Sequence, residues 1–147
     1  MANAEDFKKF TLARLQTVDS LLAAQDWFGA AYMMALVLEC ALKASCCSHL
    51  ELGAYPDSDP SSSKVKEVFM THRFDFLLVV AGLSAIFTLT GNPEMYRNWS
   101  DFTRSYPADW PTMKYDMATW DETKIRALYA NLTDRATGIL TVIQKQW

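Results

Sequence analysis

Few side chains in this 147-residue sequence can exchange a proton near neutral pH. There are two histidines, His49 and His72, and imidazole is the usual general acid or base in that range. His72 lies in Thr71-His72-Arg73-Phe74-Asp75, which places an imidazole, a guanidinium and a carboxylate within four positions. Two more arginines, Arg97 and Arg104, fall in a later stretch rich in aromatics. Beside Arg73 and Asp75, His72 could serve as an acid or base or as an RNA contact. Cys40, Cys46 and Cys47 are odd in number, and none forms a C-x-x-C spacing. Neighbouring cysteines rarely meet disulfide geometry, so all three read as buried free thiols. Cys46, Cys47 and His49 on one helix do not point at one centre, so no metal is expected. No nucleotide-binding, hydrolase or metalloprotease motif occurs, and no cofactor is expected.

These residues need elements to position them. Apolar residues from Phe7 to Leu22 recur near a 3.6 period and predict a helix over 4–24, capped by Asn3. Asp26 caps a second helix running to about His49 or Leu52. It is apolar on nearly every side until Glu39, which marks it as the central helix. Residues 53–63 form a loop of Gly, Pro, Asp and Ser. A third helix is predicted over 64–87, with Thr71 as a break or second start, followed by a turn at Gly91-Asn92-Pro93. A short helix near 95–105 leads into an irregular crossing, because Pro107 and Pro111 interrupt any continuous helix. The last helix is predicted from Thr119, in a capping box with Glu122, to the C-terminus. The expected fold is all-α, an antiparallel bundle of four or five helices over residues 1–147 as a single domain.

Bulk composition removes other classes. Half the residues are hydrophobic and 21% are charged, which excludes a mainly disordered chain. Fourteen basic and 17 acidic residues give a net charge of −3, unlike the basic footprint of a general nucleic-acid binder. The apolar runs Phe28–Leu38 and Phe76–Phe87 are shorter than the roughly 18 residues needed to cross a bilayer. The polar N-terminus has no signal-peptide core, so no membrane contact and a cytoplasmic location are expected. On that basis the glycosylation sequons at Asn98 and Asn131 read as chance matches.

The second helix contains Ala30-Ala31-Tyr32 and then Leu38-Glu39-Cys40-Ala41-Leu42-Lys43. Thr71-His72-Arg73-Phe74-Asp75-Phe76-Leu77-Leu78 follows, then the stretch from Trp99 to Tyr115. In this order the sequence resembles the HEPN (higher eukaryotes and prokaryotes nucleotide-binding) domain, with its "A..Y..A...E..LK" second helix and "TH-x-L-x-x-L" start of the next. The resemblance covers most of the chain. It implies a helical bundle that commonly forms homodimers. Many family members are metal-independent ribonucleases in defence or toxin–antitoxin systems, some paired with a nucleotidyltransferase. Other branches bind or scaffold without catalysis.

The family's ribonuclease signature is Arg-x(4–6)-His. Here Lys43 stands at that distance before His49, and Lys66 before His72. Neither spacing carries an arginine, and lysine lacks the bidentate fork that suits phosphate. The region of Arg97 to Tyr115, where the signature usually lies, contains no histidine. The sequence therefore reads as a non-catalytic or degenerate HEPN-like homodimeric binding module. A ribonuclease using His72, Arg73, Arg97 or Arg104 is the alternative, and a structural helical adaptor is another. A protein partner such as a nucleotidyltransferase, or RNA or a nucleotide, is compatible with the family. Glu39 and Lys43, four apart, form a helix-face pair. If Glu39 is buried it needs a partner from another helix, with His72 or Arg73 as the candidate. That gives a structural polar cluster of Glu39, Lys43 and His72. The aromatic stretch reads as a stacking platform interleaved with Arg97, Arg104 and Lys114, or as an apolar crossover closing the bundle.

Overall fold

A computed structural model describes residues 2–58, 63–115 and 119–147. The described residues are all-helical, with seven α-helices: α1 (Ala4–Ala23), α2 (Trp27–His49), α3 (Ser63–Phe69), α4 (Phe74–Val80), α5 (Pro93–Arg104), α6 (Glu122–Thr133) and α7 (Ile139–Gln144). Two 3-10 segments, Pro56–Ser58 and Trp110–Tyr115, lie between them.

The first two helices follow the local signals closely. The Asn3 side chain accepts from the Asp6 amide, and the Asp6 carboxylate accepts from the Asn3 amide. The Asp26 side chain accepts from the Gly29 amide at 2.9 Å and starts α2. Only Ala24–Asp26 separates these long helices, and they pack along their length, so they run antiparallel. Every residue from Val37 to Cys47 is buried. A helix buried on all sides must be surrounded, and α2 is packed by α1, α4, α6, α7 and the Trp110–Tyr115 segment. With 23 residues and mean hydropathy of 1.5, α2 is long and apolar enough to cross a membrane. However, 83% of its apolar window is buried against the rest of the chain.

The structure divides two stretches that periodicity alone joins. The stretch predicted over 64–87 ends at Phe69 and restarts at Phe74, across the break marked at Thr71, and its second part ends at Val80 rather than at 87. The Arg73 amide bonds the Thr71 hydroxyl at 3.2 Å, and His72 is drawn sideways onto Glu39. The last helix begins at Asp121, whose side chain accepts from Lys124, rather than at Thr119. It breaks after Thr133, where the Asp134 carboxylate accepts from the amides of Ala136 and Thr137. Aspartate in this local turn competes with the helix. Gly138 then lies against the Asp134 backbone, where a side chain would collide. The bundle therefore has more and shorter helices than the four or five expected.

Asn98 and Asn131, the sequon asparagines, join α5 to α6. The Asn131 amide donates to the Asn98 carbonyl oxygen at 3.1 Å, while Asn98 donates to the Thr137 carbonyl at 2.9 Å.

Candidate functional site

Glu39 lies within the fully buried part of α2, with its side chain only 6% exposed. A lone carboxylate there would be costly, and it is met by three donors. Lys43 Nζ, one turn along the same helix, approaches Oε1 at 2.9 Å. His72 Nδ1, from the break between α3 and α4, approaches Oε2 at 3.0 Å. Trp110 Nε1, from the aromatic crossover, donates to Oε2 at 2.8 Å. One carboxylate thus fastens two other segments, the His72 break and the Trp110 crossover, to the central helix.

The surrounding groups fix the donors in turn. Lys43 sits over the Tyr55 ring at 4.9 Å, with Asp57 at 3.9 Å. Tyr55 is fully buried, and its hydroxyl donates to the Phe69 carbonyl at 3.0 Å. Burial pushes its phenol well above the usual tyrosine range. The Trp110 ring meets Tyr32 edge-on at 5.0 Å and His72 edge-on at 5.9 Å. A carboxylate can only accept, so His72 Nδ1 is the donor. The His72 side chain is 45% exposed, and no partner is present for Nε2 among the described residues.

Arg73 does not join this cluster. It forms a two-pronged pair with Asp75, at 2.8 and 3.2 Å, on the exposed face. The hydrogen bonds from Arg73 hold the Asp75 carboxyl below the usual carboxylate range. Arg73 and Asp75 also line a cavity of about 240 Å³ with Arg104, floored by Phe74, Trp99 and Tyr106. His72 and Arg97 are not on its lining. Arg97 is exposed on α5, seven positions before Arg104, or about 10 Å along the axis. Within one chain, then, the four residues singled out for catalysis divide. Arg73 and Arg104 share a cavity, His72 belongs to Glu39, and Arg97 stands apart.

The aromatic stretch is mostly buried. Trp99, Phe102, Tyr106, Trp110 and Trp120 all belong to the core. Tyr106 donates to the Ala31 carbonyl at 2.7 Å and stacks against Phe102 and Trp120. These rings close the bundle and do not form an open stacking platform. The side chains of Lys114 and Tyr115 lie outside the described residues. Cys40, Cys46 and Cys47 are free and buried. Burial pushes the Cys40 thiol up to about 11 and the Cys46 thiol to about 12, which leaves both unreactive. Among the described residues, no group of three or more His, Cys, Asp or Glu could hold a metal ion.

Sequence reasoning missed Trp110. The available signal was a buried indole N–H, which needs an acceptor, and a buried carboxylate still short of donors. Compared with known proteins, the chain matches no family model, no curated protein and no solved structure.

Proposed function

We propose that this chain is a non-catalytic or degenerate HEPN-like module that works by binding, as a homodimer. The observation that carries this reading is the commitment of His72. Its Nδ1 is held by a buried carboxylate, and its ring is off the wall of the cavity where Arg73 and Arg104 meet. General acid–base catalysis needs the proton carrier and the charge-stabilising groups around one reacting centre. Here the chain separates them. The arginine cavity, walled by charge and floored by rings, is a place for recognition.

The test is incubation of the purified chain with tRNA and mRNA in the presence of EDTA. The expected result is intact RNA. Cleavage that disappears in His72→Ala would overturn the reading.

One observation favours the ribonuclease alternative. A half-exposed imidazole backed by a carboxylate has the orientation that a general base requires, with Nε2 outward. In that reading Glu39 and Trp110 position His72, and the arginines come from the second protomer. The same RNA experiment separates the two.

A further inference from the structure

The cavity where Arg73 and Arg104 meet has a volume of about 240 Å³. Three segments bound it: the start of α4, the end of α5 and the turn after α5. Its floor is apolar and fixed. Phe74, Trp99 and Tyr106 line it while only 6%, 9% and 7% exposed. Phe74 meets Tyr106 edge-on at 6.1 Å, and Phe87 backs Trp99 at 5.2 Å. The Tyr106 hydroxyl is spent on the Ala31 carbonyl, so this tyrosine offers the cavity its ring and no donor. A floor already packed in place needs no ordering when a flat apolar group settles on it.

The rim carries the charge. Arg73 gives Nε and Nη2 to Asp75, so that pair is answered within itself. The Thr103 hydroxyl donates to the Trp99 carbonyl. Arg104 is exposed and has neither an ion pair nor a side-chain hydrogen bond among the described residues. Exposed cations without partners are ordinary, but this one lines a cavity with an aromatic floor. Among the described residues, the charged groups of the lining are Arg73, Asp75 and Arg104, which leaves one positive charge in excess.

These two features select a ligand by charge and by size. One unanswered guanidinium matches one negative charge, and its planar fork takes both oxygens of a carboxylate. The dianion of a phosphate monoester would meet the same fork, but also the Asp75 carboxylate on the same wall. Sites for drug-sized ligands span about 300–1,000 Å³, so the occupant here is one ring rather than a whole nucleotide.

We propose that this cavity binds a small aromatic monocarboxylate, with its ring on Phe74, Trp99 and Tyr106 and its carboxylate on Arg104. The proposal rests on the binding-module reading above and names the ligand class of its cavity. The groove along α3 and α4 is larger, at about 600 Å³, and is lined by Val68, Met70 and Val79. Its cation, Arg73, is already paired with Asp75, so the groove lacks the free charge that selects a ligand here.

The test is titration of the full chain with 3-phenylpropionate, followed by NMR at the Trp99 indole N–H. The neutral amide of that acid, phenyl phosphate and the tripeptide Gly-Gly-Phe are titrated alongside. The expected result is saturation with a dissociation constant on the order of 1 mM, the scale for a ligand of this size. The amide should bind at least about ten-fold more weakly, and so should the acid to Arg104→Gln, because each change removes one side of a charge-assisted hydrogen bond. Ala108→Trp fills the cavity with its charges unchanged and should abolish the shift. Both positions are exposed, and far-UV circular dichroism establishes that the variants are folded. Tighter binding of Gly-Gly-Phe than of the free acid supports the same chemistry and places it at a peptide C-terminus. No saturation by about 10 mM, well above the expected constant, overturns the proposal. Equal binding of the amide, or unchanged affinity in folded Arg104→Gln, overturns it too. Tighter binding of phenyl phosphate than of the acid replaces the carboxylate with a phosphate and also overturns it. Intact RNA with a failed titration removes the ligand and leaves the non-catalytic reading standing. Cleaved RNA with a successful titration overturns that reading alone.

Discussion

Two regions of this bundle depart from the usual distribution of side chains. At the centre of α2 sit a carboxylate and an ammonium, Glu39 and Lys43, both buried. On the outside of α3 and α4 sit Val68, Met70 and Val79, all exposed. The buried charges are fully answered within the chain, by His72, Trp110 and each other. Among the described residues, Val68, Met70 and Val79 in the groove stay more than half exposed. The first region holds the fold together, and the second contributes little to it. Stability is therefore expected to respond to the first far more than to the second.

The largest expected effect lies in the buried region. Glu39→Ala leaves Lys43, His72 and the Trp110 N–H facing an empty space. It is expected to cost about 3–5 kcal/mol in urea unfolding, the range for breaking a buried ion pair from one side. A loss under about 1 kcal/mol would show that water replaces the carboxylate and that the cluster is not a fastening. Trp110→Phe removes the N–H donor to Glu39 together with part of the buried ring volume, while keeping an aromatic ring there. A hydrogen bond to a charged group makes the lost donor worth about 1.5–3 kcal/mol. Comparing these two variants apportions the cluster between charge and crossover.

High pH probes the same interior. The Cys40 thiol moves from 9.0 to about 11 and the Cys46 thiol from 9.0 to about 12, both chiefly through desolvation. Burial and the neighbouring Asp19 move the Tyr129 phenol from 10.0 to about 12. The folded chain keeps these protons after the unfolded chain has released them. Their contribution is fully present below pH 9 and is lost as pH rises toward about 12. The urea midpoint should therefore fall steadily across that window. A flat midpoint from pH 9 to 11 would mean that the thiols reach water in the folded state.

The smallest effects on stability are expected at the surface. Arg73→Ala removes an exposed pair with Asp75 and should leave the urea midpoint nearly unchanged. Val79→Glu, at a side chain 66% exposed, should change the stability of the chain by no more than about 0.5 kcal/mol. A groove variant that unfolds the chain as severely as Glu39→Ala would erase the contrast between the two regions.

The parts of this arrangement legible beforehand depended on neighbours in sequence. Asn3 and Asp26 announce the starts of α1 and α2 through side chains that reach only three residues on. Glu39 and Lys43 announce their pairing through a four-residue spacing. Thr71 marked the break in the third helix, where His72 turns onto Glu39. The break in the last helix was less legible, because apolar periodicity continues through it and the competing bonds belong to a local turn at Asp134. The candidate site was legible in its residue types and not in its grouping. Nothing in the spacing of Arg73, Arg97 and Arg104 reveals that the first and last share a cavity and the middle one does not.

The sequence by itself determined that the chain is helical, that α2 is its centre, and that a carboxylate placed there must find partners. Those follow from periodicity, capping and the cost of desolvating charge, all of which act on neighbouring residues. Tertiary structure alone decided which partners answer Glu39. His72 arrives from 33 positions away and Trp110 from 71, distances over which only packing carries information. It also decided that Val68, Met70 and Val79 would remain exposed. Whether an apolar residue is buried depends on what the rest of the chain brings to it, and α2 receives four helices where α3 receives mainly one short turn.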